Sequence, residues 1–218
     1  MNILQKIQKL PFMESQYMNV ETNKTQIVLH HTVSGDNPKG VAEYWEGTPD
    51  RVGTAMIISK DGTPYQIFSS KFWAGHLGLK KATFDSLGLS PLPLDKTSIG
   101  IELCNWGGLI YKNGKYYNYY QNEVKNVEIV EYKDKFRDYQ FYEKYSDAQI
   151  QTVKELIEYW NQRYSIPMEY MGDENVFSLS KDALSGKPGI FGHCSYRLDK
   201  SDIHPQKEMI DMLKSLKK

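Results

Sequence analysis

Five histidines occur in the 218-residue chain, at positions 30, 31, 76, 193 and 204. Two of them close short apolar runs: His30 follows Ile27-Val28-Leu29, and His193 follows Ile190-Phe191-Gly192. The end of a strand holds the backbone while the side chain meets solvent, so such positions carry sites. The distance between His30 and His193 in the chain excludes a local zinc finger. It fits a catalytic metal site, in which three protein ligands leave a position open for water. The third ligand would be a nearby carboxylate or thiolate. Asp202 stands nine residues after His193, with Lys200 close by. A packing or capping role is the competing reading of the His30-His31 pair.

A carboxylate that handles protons has a candidate in Glu102. In Ser98-Ile99-Gly100-Ile101-Glu102-Leu103 the large apolar residues alternate with Ser98, Gly100 and Glu102. The two-residue period of a strand then puts Glu102 on the face opposite Ile99, Ile101 and Leu103. Cys104 and Cys194 are the two cysteines. Cys104 has no base at fixed spacing, and Cys194 adjoins His193 but adjacent side chains on a strand point to opposite faces, so both read as buried bystanders rather than nucleophiles. Two cysteines in a chain of this length make no disulfide scaffold and fit synthesis in a reducing compartment.

These side chains need a frame. Residues 1–24 read as a polar, weakly patterned arm. Thr25 to Leu29 is a β-branched run with the signature of a buried strand. Asn37 is a predicted N-cap with Pro38 at the first helical position, and Val41, Tyr44 and Trp45 share one face of the helix that follows. Ala55 to Ile58 and Tyr65 to Phe68 are strands joined through Asp61-Gly62, a hairpin signal. Residues 106–145 are rich in Tyr, Lys and Asn, with a second hairpin turn at Asn113-Gly114, and read as an inserted β-rich excursion. Ser146-Asp147-Ala148-Gln149 resembles a capping box. It opens a helix to about Tyr164, whose inward face is Ile150, Val153, Ile157, Trp160 and Tyr164, and which Ile166-Pro167 ends. Residues 171–189 read as loop. A last amphipathic helix starts at Pro205, with Met209, Met212, Leu213 and Leu216 inward. Strands and helices alternate while hairpins are also present, so the expected class is α/β, with a mixed central sheet flanked by helices.

Ile27-Val28-Leu29-His30-His31-Thr32, Ser98 to Leu103, and Gly192-His193 followed by Lys200-Ser201-Asp202 together resemble the type 2 family of N-acetylmuramoyl-L-alanine amidases. That family includes phage lysozyme-type amidases and peptidoglycan recognition proteins. The resemblance runs over roughly residues 25–215 with its three motifs in order. It implies a single zinc amidase domain over residues 25–218 and one bound Zn2+. The implied ligands are His30, His193 and Asp202. Glu102 matches the glutamate that acts on the catalytic water, and Lys200 the lysine that supports the oxyanion. Some phage members use a tyrosine; here Thr54 follows Val52-Gly53, which favours the glutamate version. Two motifs depart from the family. Ile203-His204-Pro205 stands where many members have Pro-Gly, so His204 competes with Asp202 as third ligand. Trp73-Ala74-Gly75-His76 stands where many have Trp-His-Ala-Gly. His76, Trp73, His31 and Asn105 are the expected substrate contacts, with a hydrogen-bonded loop role as the other reading of His76 and a packing role near the site as that of His31.

The implied substrate is peptidoglycan or a muropeptide, cut between N-acetylmuramic acid and L-alanine. A binding module of the same fold that has lost a ligand is the alternative, and the presence of every implied ligand favours catalysis. Lys+Arg and Asp+Glu are equal at 27 each, so no basic excess points to nucleic acid. No stretch reaches the ~18 apolar residues of a membrane span, and the N-terminus lacks the apolar core of a signal peptide. A soluble protein made in the cytoplasm is expected, with no stable membrane association. It is either a phage or prophage endolysin released by a holin, or a cytosolic enzyme that recycles muropeptides. The tyrosines number 16. Those of residues 106–145, with Trp106, either line a glycan groove or pack as a hairpin against the sheet.

Overall fold

The computed structural model describes residues 3–216. Eleven strands are present among them: β1 (Gln8–Lys9), β2 (Gln26–His31), β3 (Met56–Ile58), β4 (Pro64–Gln66), β5 (Ser98–Leu103), β6 (Gly108–Lys112), β7 (Lys115–Tyr117), β8 (Glu123–Val124), β9 (Ile129–Phe136), β10 (Tyr139–Glu143) and β11 (Gly189–Gly192). Six form a central sheet in the order β1-β4-β3-β5-β2-β11. β2 runs parallel to both β5 and β11, while β3 and β4 are antiparallel. The expected mixed sheet with flanking helices is what forms.

β2 is buried along its whole length because it lies between two strands and is covered on both faces. Its alternation sorts the molecule into two cores. Ile27 and Leu29 join Ile99, Ile101, Leu103 and Ile190 in the larger core, with Trp160, Met209 and Leu213. Val28 and Phe191 join Leu77, Phe84, Leu94 and Tyr196 in the smaller one. The larger core is closed by the helices Asp147–Tyr164 and Lys207–Ser215, whose buried faces supply Ile150, Val153, Leu156, Ile157 and Trp160, then Met209, Met212 and Leu213. Each such Leu, Ile or Val contributes about 1.5–3 kcal/mol by leaving water. The long helix starts where the capping box predicts. Ser146 Oγ accepts from the Gln149 N–H at 3.0 Å, and Gln149 Oε1 accepts from the Ser146 N–H at 3.1 Å.

Several expectations shift. β2 runs two residues past Leu29, so His30 and His31 lie inside the strand and must point to opposite faces. In the helix Pro38–Glu46, capped by Asn37, Trp45 and Ala42 are buried while Tyr44 is 73% exposed. The long helix, by contrast, ends at Tyr164 as expected, capped by Ser165 in the left-handed conformation one residue before Ile166. The last helix begins at Lys207 rather than Pro205. Residues 171–189 hold two single-turn helices, Asp173–Val176 and Lys181–Leu184. The first 24 residues contribute β1, which extends the sheet edge by pairing with β4.

β6 to β10 make a second, five-stranded antiparallel sheet, in the order β8-β7-β6-β10-β9. Asn113 and Gly114 turn β6 into β7 with φ of 51° and 77°, the pair of positive values a tight hairpin requires. The tip between β9 and β10 carries Arg137, whose Nη2 donates to the Cys194 carbonyl at 3.2 Å. That bond ties the second sheet to the residue beside His193.

Candidate active site

The C-terminal ends of β2, β5 and β11 open on a cleft of about 490 Å³. His30 is the fifth residue of β2 and pairs in register with Glu102 of β5. Both project on the face opposite the larger core. His193 is the first residue after β11, in a short 3-10 turn with Cys194 and Ser195. The chain then loops back, and the Cys194 N–H donates to the Asp202 carbonyl at 2.7 Å, which brings Asp202 beside the turn.

Three side-chain atoms converge here. His30 Nδ1 lies 3.0 Å from His193 Nδ1, and Asp202 Oδ2 lies 3.0 Å from His193 Nδ1 and 3.3 Å from His30 Nδ1. All three residues are buried, with 2%, 6% and 6% exposure for His30, His193 and Asp202. His193 Nε2 faces the Leu77 carbonyl at 3.1 Å, and a carbonyl only accepts, so in the neutral ring Nε2 carries the proton and Nδ1 offers a lone pair. A lone pair and a carboxylate oxygen then meet without a proton between them, an arrangement a cation stabilises. Bonds of about 2.0–2.1 Å to a tetrahedral Zn2+ place ligand atoms about 3.3–3.4 Å apart, close to the separations observed. The donor set fits zinc. Among the described residues, His30, His193 and Asp202 form a group able to hold a metal ion.

The electrostatics agree. Burial, followed by the neighbouring His193 ring, lowers His30 to about 3 against the pull of Asp202, so the ring stays neutral as a ligand must. Burial pushes the Asp202 carboxyl up, and positive charge at His193 with hydrogen bonds from His193 and His30 pulls it well below its usual range; with both rings neutral, that positive charge has to come from a cation. Burial, then the Asp202 charge, raises Glu102 well above the ordinary carboxylate value, while Lys200 acts in the opposite sense. Glu102 Oε2 is buried without a hydrogen-bond partner, and both Glu102 and Lys200 line the cleft.

The other expected site residues divide. His204 is turned away: its Nε2 donates to the Glu143 carbonyl at 3.0 Å and its Nδ1 accepts from Tyr132 OH at 2.7 Å. Of the two candidates for the third donor, Asp202 is therefore the one that joins His30 and His193. His76 lines the cleft, yet both its ring nitrogens are engaged, Nδ1 with His30 Nε2 at 3.0 Å and Nε2 with Ser98 Oγ at 2.8 Å. His31 reaches the cleft wall with Nδ1 on Tyr145 OH at 2.8 Å. Trp73 and Asn105 are not brought in. The Trp73 backbone bridges to Met18, and Lys96 Nζ lies over its ring at 5.3 Å. Asn105 is fully buried, donating to the Glu143 and Lys144 carbonyls and accepting from the Gly107 N–H. Thr54 lines the cleft, but its hydroxyl donates to the Met56 carbonyl at 3.0 Å. Burial raises both thiols to about 12, so Cys104 and Cys194 stay protonated.

Some cleft residues had no expected role. Arg137 and Tyr139 enter from the β9–β10 hairpin. Behind the cleft, Ser98 and the Leu77 carbonyl bond His76 and His193; Ser98 could have been found, since it shares the Gly100 and Glu102 face of β5. The Leu77 carbonyl could not, because a backbone group leaves no trace in residue type. The aromatic excursion splits between its two readings. Trp106, Tyr119 and Tyr120 line the cleft, whereas Tyr111, Tyr116 and Phe141 pack on one another at 5.0–5.5 Å between ring centroids.

The sequence model of the N-acetylmuramoyl-L-alanine amidase family matches residues 21–207. Among solved structures, the chain is similar to the N-acetylmuramoyl-L-alanine amidase LysC from Clostridium intestinale URNW, with 16% identity, a TM-score of 0.50, and 95% of this chain and 94% of that one covered. It is also similar to the catalytic domain of XlyA, with 13% identity, a TM-score of 0.51, and 95% and 96% coverage. At such identities these likenesses concern the fold. A comparison with curated protein sequences finds no match.

Proposed function

The chain belongs to the N-acetylmuramoyl-L-alanine amidase family, and from that premise we propose that it is a zinc enzyme cutting the amide between the lactyl group of N-acetylmuramic acid and L-alanine in peptidoglycan. The observation that carries this reading is the convergence of His30, His193 and Asp202 within 3.3 Å, with Glu102, whose buried Oε2 has no hydrogen-bond partner, in the same cleft.

An amide resists hydrolysis because its carbonyl is deactivated and its amine leaves poorly. Zinc held by His30, His193 and Asp202 would polarise the carbonyl and lower the pKa of water toward about 7. Glu102 takes the proton of the attacking water and returns it to the departing L-alanine amine. Its raised affinity for protons suits a group that must hold one between the two events. Lys200 places a positive charge where the carbonyl oxygen becomes negative. Trp106, Tyr119 and Tyr120 offer flat faces with polar edges to the sugar rings.

Digestion of purified peptidoglycan followed by mass analysis tests the reaction. The expected products carry free L-alanine amino termini and leave the glycan intact, chelation abolishes them, and zinc restores them. Cleavage within the glycan, or turnover indifferent to chelation, would overturn the proposal. The role we assign is that of a phage or prophage endolysin. It rests on a cleft whose aromatic wall extends beyond the three donors, as suits a polymeric glycan. Lysis of intact sacculi supports that role, whereas action confined to soluble muropeptides would place the enzyme in recycling.

A further inference from the structure

Outside the three donors, a short segment touches both histidines of the group. The His76 and Leu77 backbone N–H groups both donate to Asp95 Oδ1, at 2.8 and 2.9 Å. From this pinned pair the Leu77 carbonyl reaches His193 Nε2, and the His76 ring reaches His30 Nε2. The His76 ring crosses β5 at Gly100, where a Cβ would lie 3.2 Å from His76 Nδ1 and 2.5 Å from Thr54 Cγ2. A side chain at that position would press on the ring.

Proton positions along this path follow from one acceptor-only group. Ser98 Oγ lies 2.7 Å from the Leu94 carbonyl. At that distance two lone pairs repel, so the hydroxyl proton points to Leu94 and Oγ must accept from His76 Nε2–H. His76 Nδ1 then has a lone pair, and His30 Nε2 must donate to it. His30 Nδ1 is left with a lone pair facing His193 Nδ1 and Asp202 Oδ2. The partner of the second ring nitrogen generally sets which nitrogen of a ligating histidine is free.

We infer that His76 is a positioning residue that holds His30 in the tautomer whose Nδ1 is free, and that the Asp95-pinned pair His76-Leu77 aligns both histidines of the donor set. The inference rests on the zinc reading above for its consequence, but not for its proton pattern. It replaces substrate contact as the work of His76, since neither ring nitrogen is left for a substrate.

Two readouts test it: zinc affinity by competition with a chromophoric chelator, and the His30 tautomer by long-range 1H–15N correlation NMR. Metal-free wild type should show His30 protonated on Nε2. His76→Ala should weaken zinc about 10–100-fold, the usual cost of losing such a partner, and mix the two His30 tautomers. Ser98→Ala should act in the same direction and less strongly, because it frees the His76 tautomer without removing the ring. His76→Asn, whose amide oxygen stands near the place of Nδ1, should recover part of the affinity and the Nε2–H signal. Should His76→Ala not fold, the Ser98→Ala and His76→Asn pair decides. Unchanged zinc affinity and an unchanged His30 signal in the folded variants would overturn the inference. Wild type that binds no zinc would instead sink the metal reading, while the tautomer signals still judge the role of His76.

Discussion

His30 and His31 are consecutive on β2, and they join two histidine clusters of opposite character. On one face, His30 meets His193 and Asp202, and the three facing atoms are lone pairs with no proton to share. On the other, His31, Tyr145, Tyr132 and His204 match donor to acceptor. Tyr145 OH donates to His31 Nδ1 at 2.8 Å and accepts from the His204 N–H at 3.3 Å. The His204 ring is stacked between Tyr142 and Tyr145, with centroids at 4.6 and 4.4 Å. His31 Nε2 alone lacks a partner, and it lies against Gly107. Both clusters are buried, and both hold two histidines from the same two stretches of chain. What separates a cluster able to hold a metal ion from a piece of core is the count of protons against lone pairs. A matched cluster is worth only about 0.5–1.5 kcal/mol per hydrogen bond; an unmatched one is stable when a cation fills it.

The comparison can be broken from either side. The largest effect is expected from His193→Ala or Asp202→Ala. Each should weaken zinc by more than the about 10–100-fold that changes outside the ligand set cost, and abolish turnover. In wild type, zinc at about 100 times its Kd should add about 2.7 kcal/mol of stability, read as a rise in Tm that chelation reverses. A Tm indifferent to zinc would erase the distinction between the clusters. Glu102→Gln comes next. It should bind zinc as wild type does while turnover falls about 10²–10⁴-fold. Full activity would remove the proton role from Glu102.

Changes in the matched cluster should move stability and leave zinc affinity alone. His204→Phe keeps the stack between Tyr142 and Tyr145 but takes the acceptor from Tyr132 OH and one of two donors from the Glu143 carbonyl, which retains Asn105, at a cost of about 1–3 kcal/mol by urea unfolding. The same variant has a pH signature. Burial holds His204 well below its ordinary 6.5 and lowers His31 to about 4. The unfolded chain takes up protons on these rings near pH 6.5 while the folded protein does not, so between about 6.5 and 4 the unfolded state binds more protons. Stability from these groups is therefore complete above pH 6.5 and is lost as pH falls toward 4. His204→Phe removes one such group, and its stability should fall less steeply across that window. The smallest effect is that of Tyr132→Phe, which unpairs only His204 Nδ1 and should cost about 1 kcal/mol. A change in zinc affinity in either variant would show that the two clusters communicate through β2.

Much of this arrangement was legible in the chain. The strand run before His30, the alternation in Ser98 to Leu103 and the capping box at Ser146 are local patterns, and local patterns survive folding when tertiary contacts reinforce them. Legibility failed where a role depends on what lies across space. Trp73 carries the right chemistry for a sugar contact but bridges to Met18 outside the cleft. Asn105 has a polar side chain spent on three backbone groups around β10. Tyr44 has the spacing of an inward residue, yet the neighbouring Ala42 takes the buried position.

Residue type and order, by themselves, determined the mixed sheet, the two strands that deliver His30 and Glu102, and the family motifs that name the donors. The tertiary structure alone decided between Asp202 and His204, two residues apart in sequence. Asp202 is drawn to His193 by the backbone bond from Cys194, and His204 is buried between tyrosines on the far side. It also decided which nitrogen each histidine presents, because a proton's place on a ring is set by the partner of the other nitrogen, and those partners, the Leu77 carbonyl and His76, come from a distant turn of the chain.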